Sequence, residues 1–264
     1  MRNRYVLSPF FLGDAAPGLA RLAESEWLLN PALPTGATQI ERMADVHARL
    51  ADIVTASVRS GTRPVCVGGD CCAAIGVLAG LQRAGVEPLL VWLDAHGDFN
   101  TPTTTPSGFI GGMPLAMIVG LGEQELIHAA ALRPLRESDV FLADARNLDP
   151  GERASLERSG VRRVGSLADL PALMPAGRPI YVHLDTDVLD PAEAPAMLYP
   201  TPGGPSLAEF RDVAERLAAT GRVIAVSMTV WNLGADLDGG TGRVCRAALA
   251  SLVGEGRDAG PVGP

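Results

Sequence analysis

The sequence predicts an α/β fold in which a parallel sheet is covered by helices on both faces. Two observations carry this expectation. Apolar runs of strand length recur along the chain, and they are near-continuously apolar, as strands buried on both faces require. Segments of helical character separate them, so strand and helix alternate. In sheets of this kind the chemistry sits at the carboxyl ends of the strands.

The first strand is expected over residues 5–12, interrupted by Pro9. The Met1-Arg2-Asn3-Arg4 lead resembles the start of a signal peptide, but the run is short and lacks a small-residue cleavage site, which favours a buried strand. Further strands are expected over 64–67, 88–93, 139–143, 161–164, 179–184 and 222–228. Helices are expected over 40–60, 73–84, 113–120, 151–159, 167–173 and 206–219. Gly85 and Gly160 follow two of them as stop signals, and Ser206 is placed as an N-cap. Residues 30–38 read as a Pro/Thr-rich surface loop, because the alternation resumes after it. Residues 101–112 form a second loop, long enough to suggest a function. The Gly/Pro-rich residues 254–264 read as a frayed tail on one domain spanning the chain.

Composition removes several function classes. The 264 residues carry 22 basic and 30 acidic side chains, a net charge of -8, with no basic cluster and 5% aromatics. Nucleic-acid binding is therefore not expected. Hydrophobic residues make up 47% of the chain, enough for a large core, but no run reaches the ~18 apolar residues of a membrane span. Cys66, Cys71, Cys72 and Cys245 form no C-x-x-C pair, which points to free thiols and a cytoplasmic setting.

Two strand ends carry candidate chemistry. After Val91-Trp92-Leu93 comes Asp94-Ala95-His96-Gly97-Asp98; after Ile180-Tyr181-Val182 comes His183-Leu184-Asp185-Thr186-Asp187. Side chains at i, i+2 and i+4 of an extended chain share a face, so each set is expected to converge. Asp residues are common at strand ends as turn and cap residues, and a single D-x-D would be read that way. Two converging clusters instead crowd four carboxylates together, and these repel unless cations compensate. Two divalent ions, at +4 together, balance Asp94, Asp98, Asp185 and Asp187. Oxygen ligands with an imidazole point to Mn²⁺, less often to Fe²⁺ or Co²⁺. A two-metal site activates a water, so hydrolysis is the reaction class.

Gly68-Gly69-Asp70, Asp94-Ala-His-Gly-Asp98 and Asp185-Thr-Asp187-Val-Leu-Asp-Pro resemble the three metal motifs of the arginase/agmatinase ureohydrolases, in order and in spacing. The resemblance implies a three-layer α/β/α sandwich around a parallel sheet of about eight strands, with a dinuclear manganese site. It implies that Asp94 and Asp185 bridge two ions, that His96 and Asp187 complete one site, and that Asp98 completes the other and steers the attacking water. Residues 98–108 resemble the arginase loop that grips a substrate α-carboxylate, which implies donors at Asn100, Thr105 and Ser107. Residues 146–152 resemble the segment that holds the α-amino group, implying Asp149 as its partner with Glu152 behind. As bare sequence this last stretch is an Asp-Pro-Gly turn opening a helix. A small-molecule amino-acid substrate and a homo-oligomer follow from the resemblance.

Three positions depart from the family pattern. The ligand His after Gly-Gly-Asp is Cys71, which leaves three possibilities: a thiolate ligand shifting preference away from manganese, one weak or empty metal site, or a buried Cys touching no metal. The proton-shuttling His is Gly111, in a Gly-Gly-Met loop like that of the branch acting on Nω-hydroxyarginine-type substrates. The guanidinium-binding Glu falls near Val230, and no carboxylate occurs between Ala225 and Ala235. His183, one pleat below Asp185, is either a supporting partner or packing. The expectation is a metal-dependent hydrolase cleaving a C–N bond of a guanidino, N-hydroxyguanidino or ureido amino acid, with arginine itself doubtful. The alternative is a family member that binds metal or an amino acid without catalysis.

Overall fold

In the computed structural model, which describes residues 1–229 and 231–255, the apolar runs assemble into one parallel sheet. In chain order the strands are β1 (Asn3–Ser8), β2 (Phe10–Phe11), β3 (Asp14–Ala15), β4 (Leu28–Leu29), β5 (Arg63–Gly68), β6 (Leu89–Asp94), β7 (Val140–Asp144), β8 (Arg162–Val164), β9 (Ile180–Asp185) and β10 (Val223–Thr229). The helices are α1 (Gln39–Arg59), α2 (Ala73–Arg83), α3 (Pro114–Ile118), α4 (Glu125–Ala129), α5 (Pro150–Arg158), α6 (Leu170–Leu173), α7 (Leu207–Ala219) and α8 (Gly240–Val253). Eight strands pair in the order β4-β1-β5-β10-β9-β6-β7-β8, while β2 and β3 form a separate antiparallel hairpin.

Alternate residues of each strand feed two cores, one on either face, which is why the strands read as continuously apolar. Cys66, Trp92 and Tyr181 point into the core shared with Leu50, Val54, Ile75 and Leu78 of α1 and α2. Val65, Val91, Val182 and Val226 point the other way, against Val213 and Leu217 of α7 and Ala248 and Leu252 of α8. The result is the expected α/β/α sandwich. In register across its middle, Asp185 pairs with Thr229, Thr229 with Gly68, and Asp94 with Asp144. The carboxyl ends of β5, β10, β9 and β6 therefore meet at one edge, on the α1/α2 side.

Differences from the sequence expectations have local causes. The run 5–12 splits at Pro9, which has no N–H to continue a ladder, into β1 and the β2–β3 hairpin. The two-residue edge strand β4 has too few residues to show a pattern. Helix α8 went unread because it opens on Gly240 and Gly242 and has no side-chain cap. Ser206 caps α7 as expected, in a capping box with Glu209. Gly254 ends α8 with φ +77, and Glu255 accepts hydrogen bonds from Asn3 and Tyr5. The rest of the expected tail, 256–264, lies outside the described residues, as does Val230. The four cysteines are free and buried, and no helix among the described residues is long and apolar enough to cross a membrane.

The close approach of α1 and α2 depends on glycine. A Cβ at Gly80 would stand 2.6 Å from both the Ala51 carbonyl oxygen and Val54 Cβ, neither of which can swing away. Gly80→Ala is expected to destabilise the fold by about 1–2 kcal/mol, because overpacking outweighs the ~1 kcal/mol gain in helix propensity. A lower urea midpoint at unchanged slope would show it.

Candidate metal centre

The site is built from the ends of three strands. After β5, Gly69 passes so close to the hairpin that a Cβ there would lie 2.3 Å from the Phe10 carbonyl oxygen. Asp70 then accepts the N–H groups of Leu12 at 2.7 Å and Cys72 at 3.0 Å, tying the hairpin to the start of α2. This holds Cys71 facing inward, where its thiol donates to Asp185 Oδ2 at 2.8 Å.

Asp94 ends β6. Its Oδ2 accepts the Trp92 indole N–H at 3.0 Å and its Oδ1 the His96 N–H at 2.6 Å. His96 Nδ1 lies 3.1 Å from Asp187 Oδ2 and 3.5 Å from Asp94 Oδ1. Asp187 Oδ1 accepts the Ala95 N–H, and the Asp187 N–H donates to Asp185 Oδ1 at 2.9 Å. Asp98 is buried, and its Oδ2 has no hydrogen-bond partner. The expected convergence is present, but pleating is not its cause. β6 ends at Asp94 and β9 at Asp185; Asp98 enters through a left-handed backbone (φ +48) and Asp187 through a 3₁₀ turn.

The ligand atoms of Cys71, Asp94 and Asp185 lie within 4.8 Å of one another, and so do those of Asp94, His96 and Asp187. The two trios share Asp94, and each has the reach and donor set of a divalent-cation site. Asp98 is in neither trio; it lines the same cavity, and its Oδ2 is buried and unpaired. Without cations the cluster holds protons. Burial, with Asp187 beside it, raises Asp185 to about 6, and burial with Asp94 raises Asp187 to about 6. Burial and the charges of Asp94 and Asp185 push Asp98 well above the ordinary carboxyl range. Burial, then Asp185, Asp98 and Asp94, do the same to the Cys71 thiol. Burial disfavours a charged His96, but its hydrogen bonds to Asp187 and Asp94 outweigh this and raise the ring to about 11. An acidic nest with a captured imidazolium and an orphaned oxygen is what divalent cations would relieve.

The loop residues sit differently. Asn100 donates to Asp149 Oδ2 at 2.9 Å and accepts from Thr104. Glu152 is buried and accepts the Phe99 and Asp149 N–H groups, strapping the loop after Asp98 to α5. Gly97 is required beneath it, since a Cβ would fall 2.6 Å from Glu152 Oε1. Thr105 accepts the N–H groups of Ser107 and Gly108, and Ser107 that of Phe109. None of these five side chains lines the cavity over the carboxylates. That cavity is walled by Phe11, Phe109, Met197, Leu198 and Tyr199.

His183 does not touch Asp185. Its Nδ1 pairs with Ser227 Oγ at 2.8 Å, and its ring lies 3.9 Å from Trp92, whose indole holds Asp94. Sequence reasoning missed Trp92 and Arg146. Arg146 binds Asp144 and donates to the carbonyls of Asp187, Val188 and Thr201, clamping the turn that carries Asp187. Its position two residues after a strand-end Asp was the available signal.

Comparison with known proteins agrees with this geometry. The arginase family model matches residues 27–253. The N(omega)-hydroxy-L-arginine amidinohydrolase of Streptomyces lavendulae is 31% identical over 239 residues, covering 89% of this chain and 80% of that protein. The arginase of Bacillus subtilis is 32% identical over 221 residues, covering 79% and 75%. The crystal structure of arginase from Bacillus cereus superposes with a TM-score of 0.83 at 28% identity, covering 97% of this chain and 99% of that one. The chain belongs to the arginase family.

Proposed function

We propose that this protein is a metal-dependent hydrolase that cleaves a C–N bond of a guanidino, N-hydroxyguanidino or ureido amino acid. The observation that carries the reading is the pair of ligand trios sharing Asp94 at the carboxyl edge of an arginase-type sheet. The relatives named for hydrolysis of arginine and hydroxyarginine supply the substrate class.

Cys71, Asp94, His96, Asp98, Asp185 and Asp187 would hold two Mn²⁺ ions, or one if the Cys71 side binds weakly. Bound divalent ions supply a water of lowered pKa and charge stabilisation for the substrate carbon. Asp98 is the residue placed to handle protons: its unpaired Oδ2 can accept from the attacking water and pass the proton to the departing nitrogen. The water oxygen bonds to carbon, the C–N bond breaks and the amine leaves protonated. Gly111 offers no imidazole to share this task, which favours substrates whose central carbon is more readily attacked, such as a hydroxyguanidine, whose electron-withdrawing hydroxyl makes the group less basic while the same stem amine departs. Asn100, Asp149 and Glu152, bound to one another, and Thr105 and Ser107 act on the amino-acid end by fixing the loop above the cleft. The free thiols favour a cytoplasmic setting, and a homo-oligomer is carried over from the family resemblance.

Release of urea from L-arginine, of hydroxyurea from Nω-hydroxy-L-arginine and of ammonia from O-ureidoserine by Mn²⁺-loaded protein tests the activity, with the hydroxylated substrate expected to be faster than arginine. Silence on all three would overturn the reading. Asp98→Asn is expected to lower kcat by about 100-fold or more at unchanged thermal stability.

Metal binding should also follow pH. A carboxyl whose folded pKa exceeds its unfolded value stabilises the metal-free fold below the unfolded value, and that contribution is lost as pH rises through the folded one. For Asp185 and Asp187 the loss runs from the ordinary carboxyl value of 3.8 up to about 6, above which cations cease to compete with protons. The gain in Tm on adding Mn²⁺ should therefore be larger at about pH 7.5 than at about pH 5, and EDTA should abolish it. Equal gains at both values would count against these ligands.

A further inference from the structure

The position expected to carry a proton-shuttling imidazole is filled by another residue's ring. A Cβ on Gly111 would lie 2.4 Å from Phe109 Cε1 and 2.5 Å from Cζ, so the phenyl group occupies the volume a side chain at 111 would need. Phe109 is held there by its own loop. Its N–H donates to Ser107 Oγ, the Ser107 and Gly108 N–H groups donate to Thr105 Oγ1, and the Phe109 carbonyl accepts from Gly112. The hydroxyls that sequence reasoning aimed at a substrate thus serve to present this ring.

Tyr199 packs against this ring, its centroid 5.9 Å from that of Phe109 at an interplanar angle of 53°, and 6.4 Å edge-on from the His96 ring. Tyr199 is 52% exposed, so one face of its ring is open to a ligand in the cavity it lines. Its segment is fixed at both ends. Asn232 donates to the Ala196 carbonyl, and Arg146 donates to the Thr201 carbonyl. Two rigidly presented rings therefore form one apolar surface beside a floor of carboxylates, in a cavity that Met197 also lines.

We propose that Phe109 and Tyr199 form an aromatic wall that sets substrate choice by packing along the aliphatic stem between the reacting C–N group and the amino-acid end. Apolar rings offer a methylene chain burial, and they offer a cationic group only a weak cation–π attraction in exchange for its water. The aromatic wall selects substrates with a stem of several methylenes over short-stemmed guanidino acids. Gly111 is the second half of the device, because any side chain there evicts the Phe109 ring. Both rings are positioning residues and take no part in proton transfer. The inference rests on the hydrolase reading of the site.

A double-mutant cycle tests it on Mn²⁺-loaded protein. Phe109→Ala is expected to raise KM for Nω-hydroxy-L-arginine, and the Kd for L-ornithine measured by calorimetry, by about tenfold, the loss expected for exposing about two methylene groups. kcat should stay within about twofold, and Phe109→Tyr should restore KM. Gly111→Ala should reproduce the KM increase in the parent protein and add less than about twofold in the Phe109→Ala background. An unchanged KM and Kd in Phe109→Ala, or an equal Gly111→Ala effect in both backgrounds, overturns the aromatic wall. Absence of both hydroxyurea release from Nω-hydroxy-L-arginine and urea release from L-arginine by the parent overturns the hydrolase reading instead, and the ornithine titration still decides the aromatic wall. No ornithine binding by the parent, or equal Kd values for parent and Phe109→Ala, overturns it.

Discussion

The mutual repulsion of acidic side chains packed where β6 and β9 end is the constraint around which this molecule is organised. Asp94, Asp98 and Asp187 are each 5% exposed or less, and Asp185 lies between them. Isolated carboxylates do not survive such burial in charged form, so each must find a cation, a donor or a proton. The chain meets part of that demand itself. Backbone N–H groups of Ala95, His96 and Asp187 point at carboxylate oxygens, the Trp92 indole holds Asp94, and His96 sits between two acids. The residual negative charge and the unpaired Asp98 oxygen are left for cations that come from outside.

Beneath the acids runs a polar row that would be out of place in an ordinary sheet core. Trp92, His183 and Ser227 pair in register across β6, β9 and β10, and the Tyr181 hydroxyl reaches Ser227 Oγ at 2.6 Å. Burial lowers His183 to about 3, so its ring is neutral and can lie against the Trp92 indole without repelling cations above. A charged residue here would disturb the electrostatics of the centre, whereas a neutral, hydrogen-bonded row fixes the indole that holds Asp94. Such outer partners orient ligands in metal sites generally. His183 therefore acts through Trp92 and Ser227 rather than through Asp185.

Strands were legible because burial on both faces leaves no alternation to confuse, and the site was legible because acids at two strand ends demand a common explanation. The route by which those acids meet was not. A period of two holds only while the chain is extended, and both strands stop at their first carboxylate. The fates of Thr105 and Ser107 were hidden for another reason: hydroxyls in a Thr/Ser-rich loop bond neighbouring backbone as readily as a ligand, and spacing cannot distinguish the two. Phe109 gave no signal, because its importance lies in the space that Gly111 leaves. Gly97 is the same kind of case, readable only once Glu152 is seen packed against it.

Backbone strain beside the centre argues that its geometry is specified rather than incidental. Asp144 (φ +77) and Ala145 (φ +49) both adopt left-handed conformations without being glycine, at a combined cost of order 2 kcal/mol or more. Conformations of that kind persist only where surrounding contacts over-determine them. Here the Ala145 N–H donates to the Asp94 carbonyl, the Asn147 N–H to the Ala95 carbonyl, and Arg146 between them spans the carbonyls of Asp187, Val188 and Thr201. One strained turn thus couples three segments: the Asp94 motif, the Asp187 turn and the loop bearing Tyr199. An unstrained turn would release the guanidinium from these carbonyls, and the floor of acids and the aromatic rim would lose their common anchor.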